Sequence, residues 1–130
     1  MELWALLGTT VVLWMAIFLQ QIHADRTSGT AYALSNRDGP PPGATATTAR
    51  LSRVVRNHVE GLAVFAPLVI VAAVAGVSNI WTQYAAVTVF GARLLHFVFY
   101  AAGITPFRSI AWGTGFLLAI PAFLYGIAGS

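Results

Sequence analysis

Four long apolar runs, separated by short polar stretches, dominate the sequence of this 130-residue chain. A helix that crosses about 30 Å of hydrocarbon needs roughly 20 apolar residues, and the runs at about 3–22, 58–77, 80–102 and 109–128 approach that length. Only 8% of the residues are charged, which is too few to cover the surface of a small soluble domain. The runs do not alternate as barrel strands would. The sequence therefore predicts an all-α integral membrane protein, a four-transmembrane-helix bundle surrounded by membrane lipid.

The polar stretches between the runs indicate one domain spanning residues 1–130. The longest, at about 23–50, contains the loop-forming sequence SNRDGPPPGATATT. A helical pattern resumes at about Thr48, so we expect the second helix to begin outside the hydrocarbon. Pro121 lies inside the fourth run and predicts a kink. The acidic start MELW, with no small-x-small site after the first run, favours a retained first helix over a cleaved signal peptide.

The distribution of arginine predicts the orientation of the bundle. All seven basic residues are arginine, and neither the second connection nor either terminus carries one. Six lie in or beside the first and third connections: Arg26, Arg37, Arg50, Arg53, Arg56 and Arg108. With four spans these two connections share a side, and the positive-inside rule makes that side cytoplasmic. Both termini are then expected on the opposite side.

Several classes of chemistry are disfavoured by the residues that are absent or badly spaced. The chain has no cysteine and no lysine, which excludes a cysteine nucleophile, cysteine zinc sites and lysine Schiff bases. The pairs His23/Asp25 and His58/Glu60 are two residues apart, so they point away from each other on a helix and no metal site is expected. No pattern indicates nucleic-acid binding. A proton-coupled carrier is disfavoured because the first helix has no acid between Glu2 and Asp25.

Two polar stripes interrupt the apolar runs where lipid should exclude them. The second helix carries Arg53, Arg56, Asn57 and Glu60 at positions i, i+3, i+4 and i+7, and the third carries Arg93, His96 and Tyr100 at i, i+3 and i+7. Each set therefore shares one helix face. Folding the chain about Asn79 brings Glu60 level with the segment between His96 and Tyr100. Ionisable groups at this depth are costly and point to function.

The excess of arginine over acid in these stripes predicts an anionic ligand. Four guanidinium groups, those of Arg53, Arg56, Arg93 and Arg108, converge on the single carboxylate of Glu60. Guanidinium forks match carboxylates and phosphates. Two structural alternatives remain open. Arg53 and Arg56 would contact lipid phosphates at the membrane edge, or Glu60 and Arg93 would form an ion pair that holds helices together.

The segments RVVRNHVEGLAVFAP and ARLLHFVFYAAGITPFRS resemble the MAPEG family, the membrane-associated proteins of eicosanoid and glutathione metabolism. The resemblance covers most of the chain: four spans, a long first connection, a short second one and both motifs in order. It implies a homotrimer that binds glutathione between neighbouring subunits near the cytoplasmic face. It further implies a transferase or peroxidase that uses glutathione as co-substrate against lipophilic electrophiles or lipid hydroperoxides, with no metal.

The resemblance also implies roles for individual residues. Those expected to line the glutathione site are Arg53, Arg56, Asn57, Glu60, Arg93, His96, Tyr100 and Ser109. Arg108 matches the arginine that stabilises the thiolate in family members. Trp112 is a departure, since the prostaglandin synthase branch has tyrosine there. The alternative function is that of a non-enzymatic accessory or structural subunit, which retains the fold within a larger membrane complex.

Overall fold

The computed structural model describes all 130 residues, and every regular element in it is helical. The elements are α1 (Glu2–Ser28), α2 (Thr30–Ala33), α3 (Ala46–Val74), α4 (Ile80–Ala102), α5 (Thr105–Gly113), a π-helical segment (Thr114–Ala119) and α6 (Ile120–Ala128). Four stretches are long and apolar enough to cross a membrane: α1, α3, α4 and the continuous helix Thr105–Ala128. The predicted four-helix membrane fold is confirmed.

Both α1 and α3 extend into the stretch at 23–50, where polar side chains form local hydrogen bonds. In the last turns of α1, Gln21 donates to the Asp25 carboxylate at 2.7 Å and the Thr27 hydroxyl donates to the His23 carbonyl at 2.9 Å. At the start of α3, the Thr45 hydroxyl accepts from the Thr48 backbone N–H at 3.2 Å, and the Thr48 hydroxyl accepts from the Thr45 N–H at 3.1 Å. This capping box satisfies two otherwise unpaired donors. The connection between the two long helices is therefore only residues 29–45, and it includes α2.

The fourth span is irregular next to Pro121, where a kink is predicted. Proline lacks an N–H and its ring crowds the carbonyl four residues earlier, which here belongs to Leu117 in the π-helical segment. A π-helical turn is one of the irregularities by which a continuous helix accommodates such a disruption. In the same segment a Cβ on Gly115 would lie 2.9 Å from the Ala92 Cβ. Glycine there permits the close approach of the fourth span to α4.

The core lies at the centre of the bundle and is built from all four spans. Its largest side chains are Phe65 of α3 and Phe123 of α6, both fully buried, with ring centroids 6.0 Å apart in an edge-to-face contact. Alanine and valine from α1 and α4 fill the space around them. Most other large apolar side chains, including Trp4 and Leu118, are exposed. Such a surface is compatible with lipid, because acyl chains are as apolar as these side chains.

The two ends of the bundle differ in how the helix ends are joined. At one end, Ser78 and Thr82 donate to the Glu2 carboxylate at 2.9 and 2.6 Å, and the Asn79 amide donates to the Gly126 carbonyl at 2.7 Å. These bonds join the start of α1, the turn between α3 and α4, and the end of α6. The opposite end carries the 29–45 connection and the two-residue turn between α4 and α5. The predicted functional residues lie toward this second end.

Candidate functional site: a polar cleft between α3, α4 and α5

A cleft of about 290 Å³ lies between α3, α4 and α5 toward the end that carries the 29–45 connection. The residues that line it are Asn57, Glu60, His96, Tyr100, Arg108, Ser109 and Trp112. Six of these seven belong to the set of nine that the sequence predicts for a ligand site, and the seventh, Trp112, lies one turn after Arg108. Polar side chains from three helices therefore share one cavity. That they bind glutathione stays a prediction.

Arg108 enters the cleft across the face of Tyr100. Its Cζ lies 4.6 Å from the Tyr100 ring centroid, which is a cation–π distance. Pro106 in the first turn of α5 fixes the start of the helix, so Arg108 projects from the next turn. Arg108 makes no hydrogen bond or ion pair in the single chain, and its guanidinium N–H groups are available to an anion in the cleft. Tyr100 is itself buried and packs against the His96 ring at 5.3 Å.

Arg53 and Arg56 lie outside the cleft, on the exposed face of α3. The Arg56 Nε is 3.4 Å from Glu60 Oε1, and the two side chains are 77% and 62% exposed. An exposed pair of this kind is worth at most about 1 kcal/mol, so both partners can exchange it for ligand groups at little cost. Arg53 is exposed and makes no hydrogen bond or ion pair. The polar stripe predicted on α3 is therefore divided. Asn57 and Glu60 line the cleft, whereas Arg53 and Arg56 lie on the adjoining surface.

Arg93 does not line the cleft, because its side chain turns inward against α3. The residue is only 4% exposed, and its Nη1 donates to the Asn57 carbonyl at 3.3 Å. Its guanidinium occupies the space above Gly61, where any Cβ would overlap it. The sequence left open an ion pair between Arg93 and Glu60. That pair is not formed, because Glu60 pairs with Arg56 instead. Arg93 instead supports the backbone that presents Asn57 and Glu60 to the cleft.

His58 is a buried polar residue next to His96 that the sequence pattern did not predict as a site residue. Its Nδ1 lies 2.9 Å from the Val54 carbonyl and its Nε2 lies 3.1 Å from the Arg93 carbonyl. A neutral imidazole has one N–H and donates to one carbonyl at a time. The ring is also 5.4 Å from that of His96, whose Nδ1 is buried without a partner. The signal that predicts this burial is the apolar stripe Val54, His58 and Phe65, which faces away from Arg56.

A second, smaller polar cavity of about 180 Å³ lies between the end of α1, α2 and the start of α3. Most of its polar groups already have protein partners. His23 contacts the Thr48 hydroxyl at 3.1 Å, Gln20 donates to Ser52 at 3.1 Å, and Arg37 donates to a backbone carbonyl at 3.1 Å. The cleft between α3, α4 and α5 is the stronger candidate, because its charged groups are unpaired or weakly paired.

Fold and site together define an integral, multi-pass membrane protein that carries an arginine-lined polar cleft at one end of a four-helix bundle. Residues 1–128 match the sequence profile of the MAPEG family, and the chain belongs to that family. The family includes glutathione-dependent transferases and peroxidases, and its members are often trimers. Comparisons with curated proteins and with solved structures gave no significant match. The resemblance drawn from the two motifs is confirmed.

Proposed function

We propose that this protein is a glutathione-dependent membrane enzyme that conjugates lipophilic electrophiles or reduces lipid hydroperoxides. The observation that carries the proposal is the convergence of Arg108, Tyr100 and Glu60 on one cleft in a chain of the MAPEG family. Family membership supports glutathione as co-substrate. The residues that line the cleft support the assignment of the side chains that would bind glutathione.

The charges around the cleft fit the charges of glutathione. The tripeptide has two carboxylates, one ammonium and a thiol. The carboxylates match Arg53 and Arg56, whose guanidinium groups are exposed beside the mouth of the cleft, because guanidinium binds carboxylate through paired hydrogen bonds. The ammonium matches Glu60, which lines the cleft and is held only by an exposed ion pair. Asn57 and Ser109 supply neutral hydrogen-bonding groups beside them.

Arg108 is the residue that would activate the thiol. A thiol has a pKa of about 8.5 and is mostly protonated at neutral pH, whereas the thiolate is the nucleophile. A guanidinium beside the sulfur stabilises the anion and so raises the thiolate fraction. In conjugation the thiolate forms a carbon–sulfur bond and the electrophile releases its leaving group. In peroxide reduction two glutathione thiols give one disulfide, while the hydroperoxide becomes an alcohol and water.

The outward position of Arg53 and Arg56 supports a site that is completed by a neighbouring subunit. The cleft of about 290 Å³ in one chain is smaller than most sites for ligands of drug size, and two of the arginines lie beyond its wall. In a homotrimer, an adjacent chain covering this face of α3 would enclose them with the ligand. We further propose that the arginine-rich connections face the cytoplasm, as the positive-inside rule predicts.

Glutathione binding by protein purified in mild detergent tests the proposal. Calorimetry should show saturable binding to the wild type. Arg53→Ala and Arg108→Ala should weaken binding about 10- to 100-fold, because each removes a hydrogen-bonded charge worth about 1.5–3 kcal/mol. Arg26→Ala is the matched control, since Arg26 is an exposed arginine toward the same end with no contact to the cleft. Turnover with an aryl halide and with cumene hydroperoxide distinguishes transferase from peroxidase.

Absence of binding by the wild type at millimolar glutathione would refute the enzymatic proposal. Purification in the same mild detergent then tests the accessory-subunit alternative. An accessory subunit should co-purify with stoichiometric protein partners, whereas a free enzyme should migrate as a homotrimer alone.

A further inference from the structure

We propose that Arg50, a residue outside the cleft, positions Arg108 by holding the turn between α4 and α5. Its effect on the reaction rests on the function proposed above. The structural part, that Arg50 fixes the turn, does not depend on that function and is tested separately.

Arg50 reaches from the first turns of α3 to the end of α4. Its Nη2 donates to the Thr47 hydroxyl at 2.9 Å, which orients the guanidinium. The same group packs on Gly103, where an added Cβ would lie 3.0 Å from Nη1 and 3.4 Å from Cζ. Its Nε is buried without a hydrogen-bond partner. A charged side chain that is only partly satisfied is therefore held against the turn by packing.

The turn that Arg50 contacts has only two residues, Gly103 and Ile104. Gly103 has φ 78°, a left-handed conformation that glycine adopts without strain. The Gly103 N–H donates to the Tyr100 carbonyl at 3.1 Å and the Ile104 N–H donates to the Phe99 carbonyl at 2.8 Å. The last carbonyls of a helix carry partial negative charge, which a nearby guanidinium stabilises. Arg50 thus adds both packing and favourable charge to the end of α4.

The turn sets the relation between the two cleft residues that lie on either side of it. Tyr100 belongs to the last turn of α4, and Arg108 to the first turns of α5. Their contact of 4.6 Å depends on the direction in which α5 leaves Gly103. Asn57 and Glu60, by contrast, are carried by the continuous helix α3. Loss of Arg50 should therefore displace Arg108 without displacing the residues on α3.

Hydrogen exchange followed by mass spectrometry tests the structural part in detergent-solubilised protein. Arg50→Gln should accelerate exchange of amides within residues 99–108 at least threefold, and leave the centres of α1 and α3 as in the wild type. Arg26→Gln, which removes an exposed arginine with no contact to the turn, should change neither. Unchanged exchange at 99–108 in Arg50→Gln would overturn the inference. Equal acceleration throughout the bundle would also overturn it, since that indicates general destabilisation.

Glutathione titrations test the consequence for the site. Arg50→Gln should keep the affinity for glutathione within about threefold of the wild type. It should raise the apparent pKa of the bound thiol, read from thiolate absorbance, by about one unit, which lowers the thiolate fraction at neutral pH by up to about tenfold. Arg50→Lys should fall between the two, because lysine keeps the charge but not the planar fork. An unchanged thiol pKa in Arg50→Gln would contradict the positioning role. Failure of the wild type to bind glutathione would refute the proposed function, while the exchange experiment would still decide whether Arg50 holds the turn.

Discussion

Substituting Gly61 with alanine tests the position of the Arg93 guanidinium, which packs directly on Gly61. Gly61 lies in α3 on its buried face, and the Arg93 guanidinium occupies the space where a Cβ would be. The guanidinium is the far end of a flexible side chain, so it can move. It can do so only by giving up its hydrogen bond to the Asn57 carbonyl while it remains between packed helices.

The expected cost follows from two opposing contributions. A hydrogen bond that involves a charged group contributes about 1.5–3 kcal/mol, and alanine in a helix interior is favoured over glycine by about 1 kcal/mol. Gly61→Ala should therefore lower the free energy of unfolding by about 0.5–2 kcal/mol. Gly91→Ala is the matched control, because Gly91 lies inside α4 and an added Cβ there would contact nothing within 4 Å. It should be neutral or stabilising by up to about 1 kcal/mol.

Thermal unfolding in detergent, followed by circular dichroism, measures both variants beside the wild type. The same Gly61→Ala change is then made in an Arg93→Met background, where the guanidinium is gone and the methyl group has room. A double-mutant cycle isolates the coupling between the two positions. If Gly61→Ala is equally destabilising in both backgrounds, the contact with Arg93 is not the cause. If it is harmless in the wild-type background, Arg93 does not occupy the space above Gly61.

Three further predictions concern single side chains. Tyr100→Leu should weaken glutathione binding about 2- to 5-fold in calorimetry, because the Arg108 guanidinium loses a cation–π contact of about 0.5–1 kcal/mol; no change would mean that the ring does not hold Arg108. His58→Phe should lower the free energy of unfolding by about 1–3 kcal/mol in the same thermal assay, because a buried carbonyl contact is lost; a wild-type unfolding temperature would contradict that role. Thr45→Ala should cost about 1 kcal/mol and should accelerate hydrogen exchange only in the first turns of α3, whereas acceleration elsewhere would show that the cap is not local.

The helices of the bundle were predictable, because burial in lipid demands long apolar runs whatever the details of packing. The residues at which the helices begin and end were less predictable. The start of α3 is set by the capping box between Thr45 and Thr48, and average hydropathy does not register such local bonds. The π-helical segment could not be predicted from the sequence either. Pro121 indicates an irregularity, but the form it takes depends on how closely Gly115 packs against α4.

The composition of the cleft was predictable to the extent that helical periodicity fixes the direction of each Cβ. Periodicity placed Asn57, Glu60, His96 and Tyr100 on facing stripes, and these four line the cleft. It could not place Arg93, because a long side chain ends several ångströms from its Cβ, and the free space beside it depends on the glycine of another helix. Gly61 is the residue that decides where the guanidinium lies, and no spacing rule within α4 reveals it.

The contrast between the two ends of the bundle supports placing the proposed ligand at the end that carries Arg53 and Arg108. At the end that holds Glu2, hydroxyl and amide donors from α4 and its N-cap meet acceptors on α1 and α6, and the helix ends are tied together. At the other end, Arg53 and Arg108 have no protein hydrogen-bond acceptor at all. A guanidinium with no protein acceptor can bind an anion without first breaking a hydrogen bond within the protein. A small anionic guest would supply the missing acceptors there, whereas at the Glu2 end the chain has already supplied its own.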